Sequence, residues 1–295
     1  MMRFAICNEL FEGWPFEDVC RFVAETGYDA LELAPFALGQ RPADMSLSQR
    51  RALRDAALRH GLDIVGLHWL LARTTGYHLT SPDAQVRKRT AEYLGELACL
   101  CRDVGGQVLV FGSPAQRQLP AGMSLEQGLD YATDTLRRVL PRCAEVGVYL
   151  CLEPLAPAET NFLNTCAQAV ALIQRLNHPF VALHLDVKAM CSEERPPAET
   201  IRQFGHLARH FHANDANRRG PGMGSVDFVP IFQALREVGY RGYVSVEVFD
   251  FTPDPRTIAR DSLRYMRACM ERLGWQEPSP GGPLGSATSE EKSQP

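Results

Sequence analysis

Eight short apolar runs, each followed by a longer amphipathic stretch, constrain this chain more than any other feature. The runs are Phe4–Asn8, Ala30–Ala34, Ile64–His68, Val108–Gly112, Tyr149–Glu153, Val181–Asp186, His210–Asn214 and Tyr243–Val248. They are rich in aliphatic, β-branched and aromatic residues and read as strands buried on both faces, the habit of parallel sheets. The stretches between them read as helices. Phe16–Thr26 gathers Val19, Cys20, Phe22 and Val23 on one side and stops at Gly27, a residue suited to the left-handed turn that ends a helix. Ser48–His60 stops before Gly61. Ser81-Pro82-Asp83 opens the next helix, with Ser81 as N-cap and Pro82 in the first position, and it runs to about Val104 before Gly105-Gly106. Ser124–Val146, Thr165–Leu176, a short Pro196–Leu207, Phe228–Val238 and Pro255–Leu273 follow. Strand–helix alternation with short connections demands a parallel sheet, and eight repeats favour its closure into a (β/α)8 TIM barrel. No GxGxxG follows the first strand, which argues against a dinucleotide-binding half. A barrel of roughly 250 residues takes up most of the chain as one domain. Residues 1–276 are therefore expected to form it, and 277–295, rich in Ser, Pro, Gly and Glu, to be a disordered tail.

Composition excludes several partners. The formal net charge is −4, without the basic excess of a nucleic-acid binder. No stretch approaches the ~18 apolar residues of a membrane span, and the opening apolar run is too short for a secretory signal. The nine cysteines are an odd number without a CxxC pair, which reads as reduced core thiols in a cytoplasmic protein.

Function in a barrel is read at the C-terminal ends of the strands. Strand five ends in Glu153, strand six in Asp186, strand seven carries His212 and strand eight carries Glu247. A carboxylate at the end of a buried strand is costly unless paired or bound to metal. Three carboxylates and one imidazole on consecutive strand ends suit one divalent ion. Oxygen donors favour Mg²⁺ or Mn²⁺, and the single nitrogen tilts the set toward Mn²⁺, Co²⁺ or Zn²⁺.

These motifs carry a resemblance. Leu152-Glu153-Pro154-Leu155 with Glu159 and Leu163-Asn164-Thr165, His184-Leu185-Asp186, His212-Ala213-Asn214-Asp215 with Arg218, Gly222-Met223-Gly224 with Val226-Asp227-Phe228, and Gly239 through Glu247 are similar to the xylose-isomerase-like barrel superfamily. The likeness runs from Phe4 to about Leu273 and is to its sugar isomerase and epimerase branch, which includes ketose 3-epimerases and hydroxypyruvate isomerase. The resemblance implies that Glu153, Asp186, His212 and Glu247 bind the metal. It also implies that Glu153 and Glu247 act as the acid/base pair, and that Glu159 and Arg218 touch substrate hydroxyls. One position departs from the pattern: ketose 3-epimerases carry a substrate-contacting histidine three residues after the strand-six aspartate, and this chain has Ala189 there, preceded by Lys188.

The implied reaction begins with loss of a proton from carbon beside a carbonyl and passes through an enediolate. A metal that polarises the carbonyl makes that proton accessible to a carboxylate base. Epimerisation needs bases on both faces of the substrate; isomerisation needs one. Further candidates are His68 as a substrate hydrogen-bond donor, Lys188 as a ligand for an anionic group, and Trp14 and Trp69 as an apolar wall. Arg117 is a candidate for an anionic group, and His184 for filling the barrel interior or supporting a ligand. His60, His78, His178 and His206 read as surface residues. The partner is a small sugar, with a homo-oligomer left open. Three alternatives stay open: a lyase of the same barrel (inosose dehydratase or an enzyme eliminating from a 3-keto-glycoside), an apurinic-site endonuclease, and a non-catalytic sugar-binding barrel. The endonuclease would need further histidine ligands where Gly112 and Ala189 stand.

Overall fold

The computed structural model describes residues 2–39 and 41–275; the segment read as a tail lies outside them. Eight parallel strands close into a barrel in sequence order. They are β1 (Arg3–Cys7), β2 (Ala30–Leu33), β3 (Asp63–Leu67), β4 (Val108–Phe111), β5 (Tyr149–Leu152), β6 (Val181–Asp186), β7 (Ala208–Ala213) and β8 (Tyr243–Val246). The helices outside are α1 (Phe16–Thr26), α2 (Leu47–Arg59), α3 (Ala84–Val104), α4 (Leu125–Val146), α5 (Cys166–Leu176), α6 (Val187–Met190), α7 (Pro197–Phe204), α8 (Phe228–Glu237) and α9 (Pro255–Arg272). Among the described residues no helix is long and apolar enough to cross a membrane.

Side chains alternate across each strand. Leu31, Leu33, Leu109, Phe111, Leu150, Leu152, Leu183, Leu185, Phe211, Val244 and Val246 point outward. They pack with Val19, Val23, Ala98, Cys101 and Leu136 of the helices in one continuous core. The inward residues at the N-terminal end form a separate small cluster: Ala5, Ala30, Val65, Val108 and Cys151. The barrel floor is thus filled by small apolar side chains, and the next inward positions lie above it.

Three local details differ from the sequence reading. The third helix begins at Ala84, with Asp83 rather than Ser81 as its N-cap; the Asp83 carboxylate accepts from the Gln85 N–H at 2.8 Å. Ser81 instead accepts from the Asp83 N–H, and the Arg87 guanidinium takes the carbonyls of Ser81 and Pro82, so these residues form a turn before the helix. The second helix starts at Leu47 under a capping box of Ser46 and Gln49. The segment after β6 is two helices: α6 follows at once because Asp186 caps it, accepting from the Ala189 N–H at 2.7 Å, and α7 comes later. All nine cysteines are free, and seven of them are buried as expected, but Cys191 is exposed.

Candidate functional site

Strand periodicity delivers the site. Cys151 and Glu153, His184 and Asp186, His210 and His212, and Ser245 and Glu247 are each two residues apart, so each pair shares the inward face of its strand. Register then aligns them: Asp186 lies beside His212, and His212 beside Ser245. Glu153 and Glu247 sit one residue past their strands, with backbone N–H groups still donating to the Phe111 and Ala213 carbonyls of the neighbouring strands. The result is one cluster: ligand-capable atoms of Glu153, Asp186, His212 and Glu247 all lie within 4.8 Å of one another, and all four residues are buried.

Burial and the closeness of its charged groups set the electrostatics of this cluster. Burial, then the neighbouring Glu247 and Asp186, push the Glu153 carboxyl well above the ordinary carboxylate range. Burial and Glu247 also lift Asp186, against the pull of Lys188. Burial would lift Glu247 too, but His212 holds it below its usual value. Burial opposes charge on His212, and Glu247 and Glu32 outweigh it, holding that imidazole well above its usual value. His212 Nδ1 and Glu247 Oε2 approach to 3.1 Å, yet neither atom makes a hydrogen bond. Two buried polar atoms left open toward one another, beside two further carboxylates, fit a divalent cation. A bound cation would offset the repulsion among these carboxylates.

Supports surround each member. Asn214 donates to Asp186 Oδ2 at 2.6 Å, and its own carbonyl accepts from the Lys188 N–H at 2.8 Å. The Trp69 indole N–H donates to Glu247 Oε1 at 2.7 Å. Gly112 leaves room for Glu153: a Cβ at position 112 would fall 1.5 Å from Glu153 Oε2. No side chain can therefore stand at 112 without displacing that carboxylate.

Beneath lies a polar layer that sequence reasoning missed. Glu32, fully buried just before the end of β2, takes His210 Nε2 at 2.7 Å and His212 Nε2 at 3.1 Å. His210 and His212 hold its carboxyl well below the ordinary range despite the cost of burial. By fixing Nε2 of His212, it leaves Nδ1 for the cluster, the usual arrangement around a metal-binding imidazole. The signal was present as an acid inside the apolar run Ala30-Leu31-Glu32-Leu33. Strand-end reading passes over it because Glu32 precedes the last residue of β2.

The other candidates are placed as follows. Lys188 donates to Glu159 Oε2 at 2.6 Å and lies over the Phe249 ring. Arg218 is at the rim, with φ of 72° and its guanidinium 6.0 Å from the same ring. His68 is fully buried, and its Nε2 is engaged by Glu9 Oε2 at 2.8 Å. Arg117 is also fully buried. It donates to the Glu153 and Phe111 carbonyls, at 2.6 and 3.1 Å, and so braces the β4 and β5 ends from behind. Trp14 packs against Phe11 and Phe22, whereas Trp69 faces the mouth beside Phe36 and Phe249. His184 lies in the barrel interior, its ring 4.2 Å from that of His212, and burial keeps it neutral. His78 is half-buried, with Nδ1 accepting from the Thr80 N–H; the surface reading fails there because the chain folds back beside α3.

Comparison with known proteins places the chain in one family. Residues 20–269 match the model of the family described as xylose isomerase-like TIM barrel. An L-ribulose 3-epimerase of Mesorhizobium japonicum is 32% identical over 230 residues, covering 76% of this chain and 72% of that protein. A ketose 3-epimerase of Arthrobacter globiformis is 29% identical over 231 residues, covering 76% and 74%. Among solved structures, a 3-keto-D-glucoside 4-epimerase from E. coli superposes with a TM-score of 0.79 at 25% identity, covering 91% of this chain and 100% of that one. The chain belongs to the xylose isomerase-like TIM-barrel family and is an enzyme of the isomerase and epimerase type.

Proposed function

We propose that this enzyme epimerises a keto-sugar by moving a proton off and back onto the carbon beside the carbonyl, with one divalent ion held by Glu153, Asp186, His212 and Glu247. Mn²⁺, Co²⁺ or Mg²⁺ suits that donor set best, and Zn²⁺ is accommodated. The ion supplies polarisation of the carbonyl, which acidifies the neighbouring C–H. The observation that carries the reading is the pairing of Glu153 on β5 with Glu247 on β8, strands separated by β6 and β7, around one shared cluster. Two carboxylates approaching from different sides can each serve one face of a planar intermediate. One takes the proton from carbon and the other returns a proton to the opposite face. Trp69 orients Glu247, and Gly112 with Arg117 seats Glu153. Glu159, steadied by Lys188, and Arg218 are assigned to substrate hydroxyls. Lys188 fills with its tether to Glu159 some of the positioning that the missing histidine at 189 supplies in ketose 3-epimerases. His68 supports Glu9 from behind.

The test is proton exchange in D₂O with Glu153→Gln and Glu247→Gln, metal content being measured first. Each variant should retain exchange on the face whose glutamate survives and lose net epimerisation by at least ~10³-fold, a typical upper range for a catalytic acid/base. Wild-type turnover in either metal-loaded variant would sink the assignment. Loss of water or an aglycone without epimer formation would replace epimerisation by elimination.

A further inference from the structure

A cleft opens at the opposite end of the barrel from the four clustered residues. Its walls come from the N-terminal ends of the strands: Arg3 opens β1, Asp63 opens β3, Tyr243 opens β8, and Arg209 lies one residue into β7. It has a volume of about 520 Å³, within the range that holds a small-molecule ligand. Val65 and Val108 of the apolar floor line it on the barrel side. None of the four clustered residues lines it, and neither does Glu159 or Arg218, so it is separate from the keto-sugar site.

Three observations say what the cleft takes. The first is its charge. The whole chain carries a formal −4, yet Arg3, Arg209 and Arg241 line this cleft against a single acid, Asp63. That acid is already engaged: its Oδ2 accepts from Arg3 Nη1 at 3.0 Å and from the Tyr243 hydroxyl at 2.5 Å. Among the described residues Arg209 and Arg241 make no ion pair. A concave wall of one sign concentrates its field on the space it encloses. The second is the seating of the guanidinium groups. Arg3 lies over the Tyr243 ring and Arg209 over the Tyr149 ring, each 4.0 Å from the ring centroid. An arginine stacked on an aromatic face keeps its N–H fork for an oxyanion. The third is the turn that carries Arg241. The Tyr240 hydroxyl donates to the Tyr243 carbonyl at 2.7 Å and ties that turn. Within it, a Cβ on Gly242 would strike the Tyr240 hydroxyl and stand 3.1 Å from the Arg209 carbonyl. The bare glycine therefore lets the Arg241 turn close onto β7 beside Arg209.

We propose that this cleft binds the phosphate group of a small phosphorylated molecule, with Arg209 and Arg241 as its main ligands and Arg3 beside them. A carboxylate fills one guanidinium fork, whereas a phosphate dianion has oxygens for more than one. A nucleic acid would need a basic surface that this acidic chain lacks.

The experiment titrates the full, Mg²⁺-loaded chain with inorganic phosphate, glycerol 3-phosphate and acetate, by calorimetry at low salt. Both phosphates should bind saturably, and acetate about ten-fold more weakly or worse. Arg209→Ala and Arg241→Ala should each weaken phosphate about ten-fold or more, the loss of one charge-assisted hydrogen bond. Arg209→Lys, which keeps the charge without the fork, should lose less. Arg260→Ala, in α9 and not lining the cleft, should bind phosphate as wild type does. Arg209 and Arg241 are exposed, so their variants should fold. Melting scans supply a second readout: phosphate should raise the melting temperature of wild type and not of the variant lacking both arginines. Absence of saturable phosphate binding, or equal affinity for acetate, would overturn the site. So would phosphate affinity that survives both alanine substitutions, which would place the anion at the metal or elsewhere, or an equal loss in Arg260→Ala.

Discussion

The two sides of the barrel mouth treat their polar groups in opposite ways. On the β5–β8 side, Glu153, Asp186, His212 and Glu247 converge with His212 Nδ1 and Glu247 Oε2 lacking hydrogen bonds, and burial with the neighbouring carboxylates raises the Glu153 carboxyl. On the β1–β3 side, Glu32 and His68 are as deeply buried but tied to partners: Glu32 holds two histidines, and His68 holds Glu9 through Nε2, leaving His68 Nδ1 and Glu9 Oε1 without hydrogen bonds. An open buried cluster is a place for a cation, whereas a closed one is a scaffold that aims it.

The comparison can be broken by substitution. Asp186→Asn exchanges a charged donor for a neutral one on the open side. Activity restored by Mn²⁺ after chelation should fall by more than the ~10–100-fold typical of residues that merely touch a ligand. Normal Mn²⁺ affinity in that variant would mean that the open cluster is not the metal's seat. Glu32→Gln, on the closed side, keeps the shape but removes the charge behind His212. Mn²⁺ affinity measured by calorimetry should drop about 10–100-fold; an unchanged affinity would reduce Glu32 to a packing residue. Trp69→Phe keeps a ring at the mouth and deletes the hydrogen bond to Glu247. A hydrogen bond to a charged group contributes about 1.5–3 kcal/mol, so kcat/KM should fall roughly ten-fold or more with little change in melting temperature. No loss would show that Glu247 needs no orienting donor.

The smallest effect lies outside both sides. Burial lowers the His78 pKa below 6.5, so the unfolded chain takes up this proton before the folded one does. That contribution to stability is present above pH 6.5 and is lost as pH falls toward the folded pKa. His78→Gln should therefore flatten the decline of melting temperature between about pH 6.5 and 5, read by calorimetric scans. A slope identical to wild type would remove His78 from the acid sensitivity of the fold.

The barrel and the four converging residues were legible in the sequence because both follow from local periodicity. A period of two puts Cys151 with Glu153, and His184 with Asp186, on one strand face. Parallel strands of similar length then bring their ends to one rim. Glycine after a helical run marked the ends of α1, α3 and α4 for the same local reason. Tertiary structure decided the rest. Whether Asp83 or Ser81 caps α3 turned on where Arg87 drew the preceding carbonyls. Arg117 became a brace and not an anion ligand because β4 and β5 turn their carbonyls onto it. Glu32 and Glu9 gained their roles from histidines 178 and 59 positions away along the chain. Hydrogen bonding and charge depend on distances in space, and strand pattern fixes only the direction in which each side chain sets out.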